Sequence, residues 1–250
     1  MFLFEMFIPR LVTEGGSMFD DVVGVPQKYA ATVVNNLKAA LPKELRKQVF
    51  PTGSAGHKAV SHDVDIMLDN TAVEQWSKQA DPRTAKSVLK QAIEQAGLQC
   101  RLNGVSIHVR VPLGQNFVQA DIMLVDDAAD VSKYHQHDYA SMGSYSGADK
   151  HILLSSVAKA VHVRGAPYGL MWSPFQGLFT RDAEGKKADL VTRDPNQIAK
   201  ILLNPNATAK DIASIQSIIT AIPISQRQAK LAAAVIDFKE NGKVVPISLA

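Results

Sequence analysis

A chain of 250 residues with one cysteine, Cys100, has no internal disulfide to staple it. That usage fits a reducing compartment, and Cys100, set in an apolar run, reads as a buried, inert thiol. No stretch approaches the roughly 18 consecutive apolar residues of a membrane-spanning helix, so no membrane partner is expected. Low-complexity tracts and internal repeats are absent, which excludes solenoids and arrays. Charge is sparse and nearly balanced: 27 Lys and Arg stand against 24 Asp and Glu, a net charge of +3. The balance is uneven along the chain. Residues 1–130 carry 13 basic and 15 acidic side chains, whereas residues 131–250 carry 14 and 9. An acidic front half and a basic back half suit a cation site followed by a surface for phosphates.

Met1–Ile8 is apolar but lacks a basic leader, is interrupted by Glu5 and has no small-residue cleavage pattern after it. It is a poor signal peptide. With the turn-like stretch after it, residues 1–24 read as an N-terminal arm able to dock on a protein partner. The cytoplasm of a bacterium or infected cell is the expected setting.

Val33, Val34, Leu37 and Leu41 fall on one helix face. Pro82 opens a second helix that Gly97 closes. Leu98–Leu102, Val105–Val111 and Phe117–Val125 read as strands, the first two joined at Asn103-Gly104, a hairpin signal. Residues 25–130 form the first domain of this reading. Residues 131–148 are polar and read as a link. A helix over 150–162, two strands (168–180 and 188–193) around a turn, and three helical patterns over 195–239 make residues 131–250 a mainly helical second domain with a hairpin at 168–193. The fold class expected is α+β.

The chemistry concentrates in residues 53–68. Asp63 and Asp65 sit in the run DVDIML, and on a strand side chains at i and i+2 share a face. Two adjacent carboxylates repel unless a cation lies between them, and Mg²⁺ is the hard ion that one or two carboxylates and phosphate oxygens suffice to hold. Asp121, in the strand-like VQADIML, offers a third carboxylate. If the two strands are neighbours, three carboxylates converge, enough for two Mg²⁺ ions about 4 Å apart. Gly53-Ser54 precedes the pair. Glycine lets the backbone approach a phosphate, the serine hydroxyl adds a hydrogen bond, and Lys58 offers charge to the same triphosphate. Lys150 opens the next domain's first helix as a further candidate for the nucleotide phosphates.

Gly-Ser, an Asp-x-Asp strand ten residues on and a lone Asp on a later strand resemble the DNA polymerase β-like nucleotidyltransferase superfamily, which includes CCA-adding enzymes and poly(A) polymerases. The likeness covers roughly residues 25–130. It implies a mixed sheet with flanking helices and transfer of a nucleoside monophosphate from an NTP to an acceptor hydroxyl, with RNA or tRNA favoured. Asp63 and Asp65 would bind both metals, Asp121 the metal at the acceptor hydroxyl, and Gly53 and Ser54 the triphosphate. The chain departs from the pattern after Gly-Ser, where many members carry an arginine and this one has Gly56-His57-Lys58. Two later stretches, Trp172–Leu178 and Pro195–Ala199, are similar to phage-encoded members. The same scaffold also suits a virion or other structural protein, or a toxin that nucleotidylates its target.

Overall fold

The structure, a computed structural model, describes residues 18–138, 145–162 and 166–246. The apolar octet Met1–Ile8, most of the expected arm and part of the expected link lie outside the described residues. The chain divides into two compact units, Met1–Ser132 and Lys133–Ala250. It is mixed α and β, with eight α-helices among the described residues, none long and apolar enough to cross a membrane.

The first unit runs β1 (Val25–Pro26), α1 (Ala30–Ala40), β2 (Phe50–Thr52), β3 (Val60–Ser61), β4 (Asp63–Asp69), α2 (Asn70–Ser77), α3 (Pro82–Gln95), β5 (Gln99–Asn103), β6 (Ser106–Leu113) and β7 (Asn116–Val125), and ends within α4 (Ala128–Tyr134), whose last two residues belong to the second unit. Five strands form one sheet in the order β2-β4-β7-β6-β5. Only the β4–β7 pair is parallel. A parallel neighbour needs a crossover, and the segment carrying α2 and α3 supplies it. Both helices start on an aspartate N-cap: Asp69 accepts from the amide of Thr71, and Asp81 from that of Thr84. Pro82 occupies the first turn of α3, where its missing N–H costs nothing.

Alternation along the strands sorts the two faces. Val64, Ile66 and Leu68 of β4, Val118, Ala120 and Ile122 of β7, and Ile107, Val109 and Val111 of β6 face a core shared with Val33 and Leu37 of α1 and Leu89 and Ile93 of α3. Burying each of these Val, Leu and Ile side chains contributes about 1.5–3 kcal/mol before entropy is counted. The odd-numbered positions of β4 and β7 therefore face away from this core.

The second unit comprises α5 (Gly147–Ala160), β8 (Leu170–Ser173), β9 (Gly177–Arg181), β10 (Lys187–Thr192), α6 (Pro195–Leu202), α7 (Ile215–Ala221) and α8 (Ile224–Glu240). Three elements differ from the sequence reading. The expected strand 168–180 folds back at Pro174 and Gly177, so the hairpin is a three-stranded antiparallel sheet, β10-β9-β8. The φ of Gly177 is +102°, and an added Cβ would meet the carbonyl oxygen of Thr192 at 2.6 Å, so this turn requires glycine. The link begins instead as α4 and ends as the first turn of α5, whose capping box pairs Ser146 with Asp149. The middle one of the three expected helical patterns splits into a 3₁₀ turn (Ala209–Ile212) and α7.

Candidate metal centre

Register carries the site. On β4 and β7, Asp63 lies opposite Gln119 and Asp65 opposite Asp121. On β7 and β6, Asp121 lies opposite His108 and Gln119 opposite Arg110. Thr52 of β2 is opposite Asp65. Thr52, Asp65, Asp121 and His108 thus form one row across four strands, on the face away from the helical core, with Asp63, Gln119 and Arg110 in the row beside it. The three aspartates each bring one carboxylate oxygen within 4.8 Å of the others. Such a cluster can hold a metal ion.

The electrostatics are those of carboxylates crowded together out of water, an arrangement that a cation would relieve. Burial, then repulsion from Asp63 and Asp121, holds the carboxyl of Asp65 well above the usual carboxylate range. Asp63 is raised by burial and by Asp121, and lowered in part by His62. Asp121 is raised by burial against the opposing pull of His108 and Gln119. Those two neighbours grip one oxygen of Asp121: His108 Nδ1 lies 2.8 Å from Oδ1, and Gln119 Nε2 donates to it at 3.0 Å. Two buried polar atoms at the ends of the row, Thr52 Oγ1 and His108 Nε2, have no hydrogen-bond partner among the described residues. Buried polar atoms of this kind are places where a ligand or a water can complete the bonding. The donor set fits a hard divalent cation: oxygen ligands, several of them anionic, beside unsatisfied polar atoms.

The Gly53-Ser54 turn lies against this cluster. Gly53 has φ +76°, and a Cβ added there would fall 2.1 Å from Asp65 Oδ2. Only glycine lets the backbone pass so close to the carboxylate. Ser54 Oγ donates to Ser61 Oγ at 3.0 Å, tying the turn to β3. The Ser54 carbonyl accepts from the amides of His57 and Lys58. The Lys58 side chain is exposed.

Of the seven candidate residues, the fold brings Asp63, Asp65 and Asp121 together and sets Gly53 beside them, with Ser54 next in the turn. Lys150 belongs to the second unit, where it is fully buried and donates to the carbonyl of Tyr134. Burial pushes its ammonium down to about 7. His135 stacks on Phe175, and His151 accepts from Trp172 Nε1, so these rings serve that unit's packing. The sequence reading passed over His108 and Gln119. The signal for His108 lies in SIHVRVPL, where His108 and Arg110 alternate with buried aliphatics and so share the face opposite the core. A cavity of about 380 Å³ lined by Asn70, Arg83, Lys86 and Leu124, among others, contains none of the seven candidates. No family model matches the chain, and no curated protein matches it.

Proposed function

We propose that the first unit is a polymerase β-like nucleotidyltransferase domain that transfers a nucleoside monophosphate from an NTP to an acceptor hydroxyl, RNA or tRNA being favoured. The observation that carries this reading is the register of β4 on β7, which gathers three carboxylates from two neighbouring parallel strands beside a glycine turn of positive φ. Asp63 and Asp65 are the residues to hold two Mg²⁺ ions, and Asp121 is the third ligand and the group nearest the acceptor hydroxyl. Bound Mg²⁺ would neutralise the carboxylates and the triphosphate and lower the pKa of the attacking hydroxyl.

The remaining work falls to the chain. The backbone at Gly53 binds the triphosphate, the hydroxyl of Ser54 joins it by exchanging its bond to Ser61 Oγ, and exposed Lys58 adds charge from the same turn. His108 and Gln119 fix one oxygen of Asp121 and so hold its carboxylate in place. Positioning of this kind suffices for nucleotidyl transfer, which needs no covalent intermediate on the protein.

Calorimetric titration with NTP in the presence of Mg²⁺ tests the reading. The wild-type protein is expected to bind an NTP only with the metal, and the Asp63→Ala/Asp65→Ala double variant to lose that binding. Equal binding by both proteins would remove the three carboxylates from the account.

A further inference from the structure

Two guanidinium groups stand on the same sheet face as the three aspartates, and both are occupied by the chain's own N-terminal segment. Arg101 of β5 lies opposite His108, and Arg110 of β6 lies opposite Gln119. Neighbouring strands are about 4.8 Å apart, so Arg110 is rooted one strand from Asp121 and Arg101 two strands, roughly 10 Å. Residues 18–23 run over this strip. The Met18 amide donates to Gln119 Oε1 at 2.8 Å, and the Met18 carbonyl accepts from Arg101 Nη1. Arg101 also caps the ring of buried Phe19, 5.0 Å from its centroid. Arg110 forks onto both carboxylate oxygens of Asp21 and lies over the Phe117 ring. Val22 bridges Phe117, and the Val23 amide donates to the Phe117 carbonyl at 2.8 Å.

The groups this segment presents have the chemistry of a nucleic-acid strand. A bidentate carboxylate on arginine occupies the fork that a phosphate fills equally well. An aromatic ring beneath a guanidinium is how proteins commonly stack an unpaired base. Asp21 is half exposed, so solvent and a competing anion reach the pair. Three adjacent carboxylates repel any polyanion approaching this face, and Arg101 and Arg110 are the groups beside them that offset this.

We propose that Met18–Asp21 is a strap that occupies an anion-binding strip made by Arg101 and Arg110, and that the strip takes the phosphodiester backbone of a single-stranded nucleic acid in competition with Asp21. The choice of a nucleic acid over other polyanions rests on the nucleotidyltransferase reading above.

Fluorescence anisotropy with a labelled single-stranded RNA of about 12 nucleotides, in EDTA and about 50 mM salt, tests this without any turnover. Asp21→Ala is a surface change that frees Arg110, and it is expected to tighten binding by about threefold to tenfold at low salt, a gain that fades as salt rises. Adding Arg110→Gln to Asp21→Ala is expected to erase the gain. Unchanged or weaker binding by Asp21→Ala would overturn the strap. An equal gain for a poly-glutamate peptide would overturn the nucleic-acid assignment. Because the assay contains neither metal nor NTP, a failure here leaves the calorimetric test of the metal centre untouched, and a failure there leaves this result standing.

Discussion

Asp65→Asn should make the metal-free protein more stable while removing its response to Mg²⁺. The side chain is nearly isosteric and keeps its place opposite Asp121 and Thr52. What changes is charge. Carboxylate oxygens of Asp63, Asp65 and Asp121 approach within 4.8 Å. At an effective dielectric of about 20, one such pair repels by roughly 3.5 kcal/mol if both groups are fully ionised. Proton uptake relieves part of this, as the raised carboxyl of Asp65 shows. A net gain of about 1–2 kcal/mol near pH 7.5 is the expected remainder, or about 3–6 °C in the melting of this unit. The wild type should instead gain from the ion. At a Mg²⁺ concentration about tenfold above its Kd, linkage gives about 1.4 kcal/mol. Differential scanning fluorimetry in EDTA and in MgCl₂ reads both effects. Asp65→Asn should melt higher than wild type in EDTA and shift little with Mg²⁺. A variant that melts lower in EDTA, or gains as much from Mg²⁺ as the wild type, would refute the idea that the aspartates are held together for a cation.

Other outcomes follow from the same geometry. Gly53→Ala places a methyl group 2.1 Å from Asp65 Oδ2 at φ +76°, so it should cost about 1–3 kcal/mol of stability and abolish metal-dependent NTP binding, read by thermal melts and calorimetry. His108→Ala removes a grip on Asp121 and should weaken Mn²⁺ binding, followed by electron paramagnetic resonance, by about tenfold to a hundredfold while the fold persists. Protons compete with the metal for aspartates whose carboxyls are raised, so Mg²⁺ affinity should rise with pH through and above the ordinary carboxylate range, with no such slope in the Asp63→Ala/Asp65→Ala variant. Lys150 is held down to about 7 by burial, so between about pH 7 and 10 the unfolded chain binds the extra proton. Stability of the second unit should therefore rise with pH over that window, by at most about 1.4 kcal/mol per unit, and Lys150→Met should flatten the slope in chemical denaturation.

The aspartate cluster is legible in the sequence because its logic is local. Asp63 and Asp65 share a face by strand periodicity alone, and Asp121 sits in a run of the same type. Their convergence was conditional on β4 and β7 being neighbours, which no local pattern encodes. It follows from the crossover through α2 and α3. Strand alternation puts His108 opposite the core and Gln119 on the face of Asp121, but that His108 stands beside Asp121 follows only from the β6–β7 register. The helix α2 escaped the sequence reading because it is eight residues long and buries only Val73, too little for a periodic signal, although Asp69 announces its start. The strand at 168–180 was read through because its apolar residues continue on both sides of the turn. Lys150 illustrates the opposite limit. A lysine in a helical pattern reads as solvent-facing, and only the packing of α5 against α8 and β8 shows it buried on the Tyr134 carbonyl.

Incubation of the purified protein with Mg²⁺, each labelled NTP in turn and total RNA, beside the Asp63→Ala/Asp65→Ala variant, tests the central claim most directly. The account predicts that label from one or more NTPs becomes attached to RNA by the wild type and not by the variant. Attachment at the same rate by both proteins would contradict it.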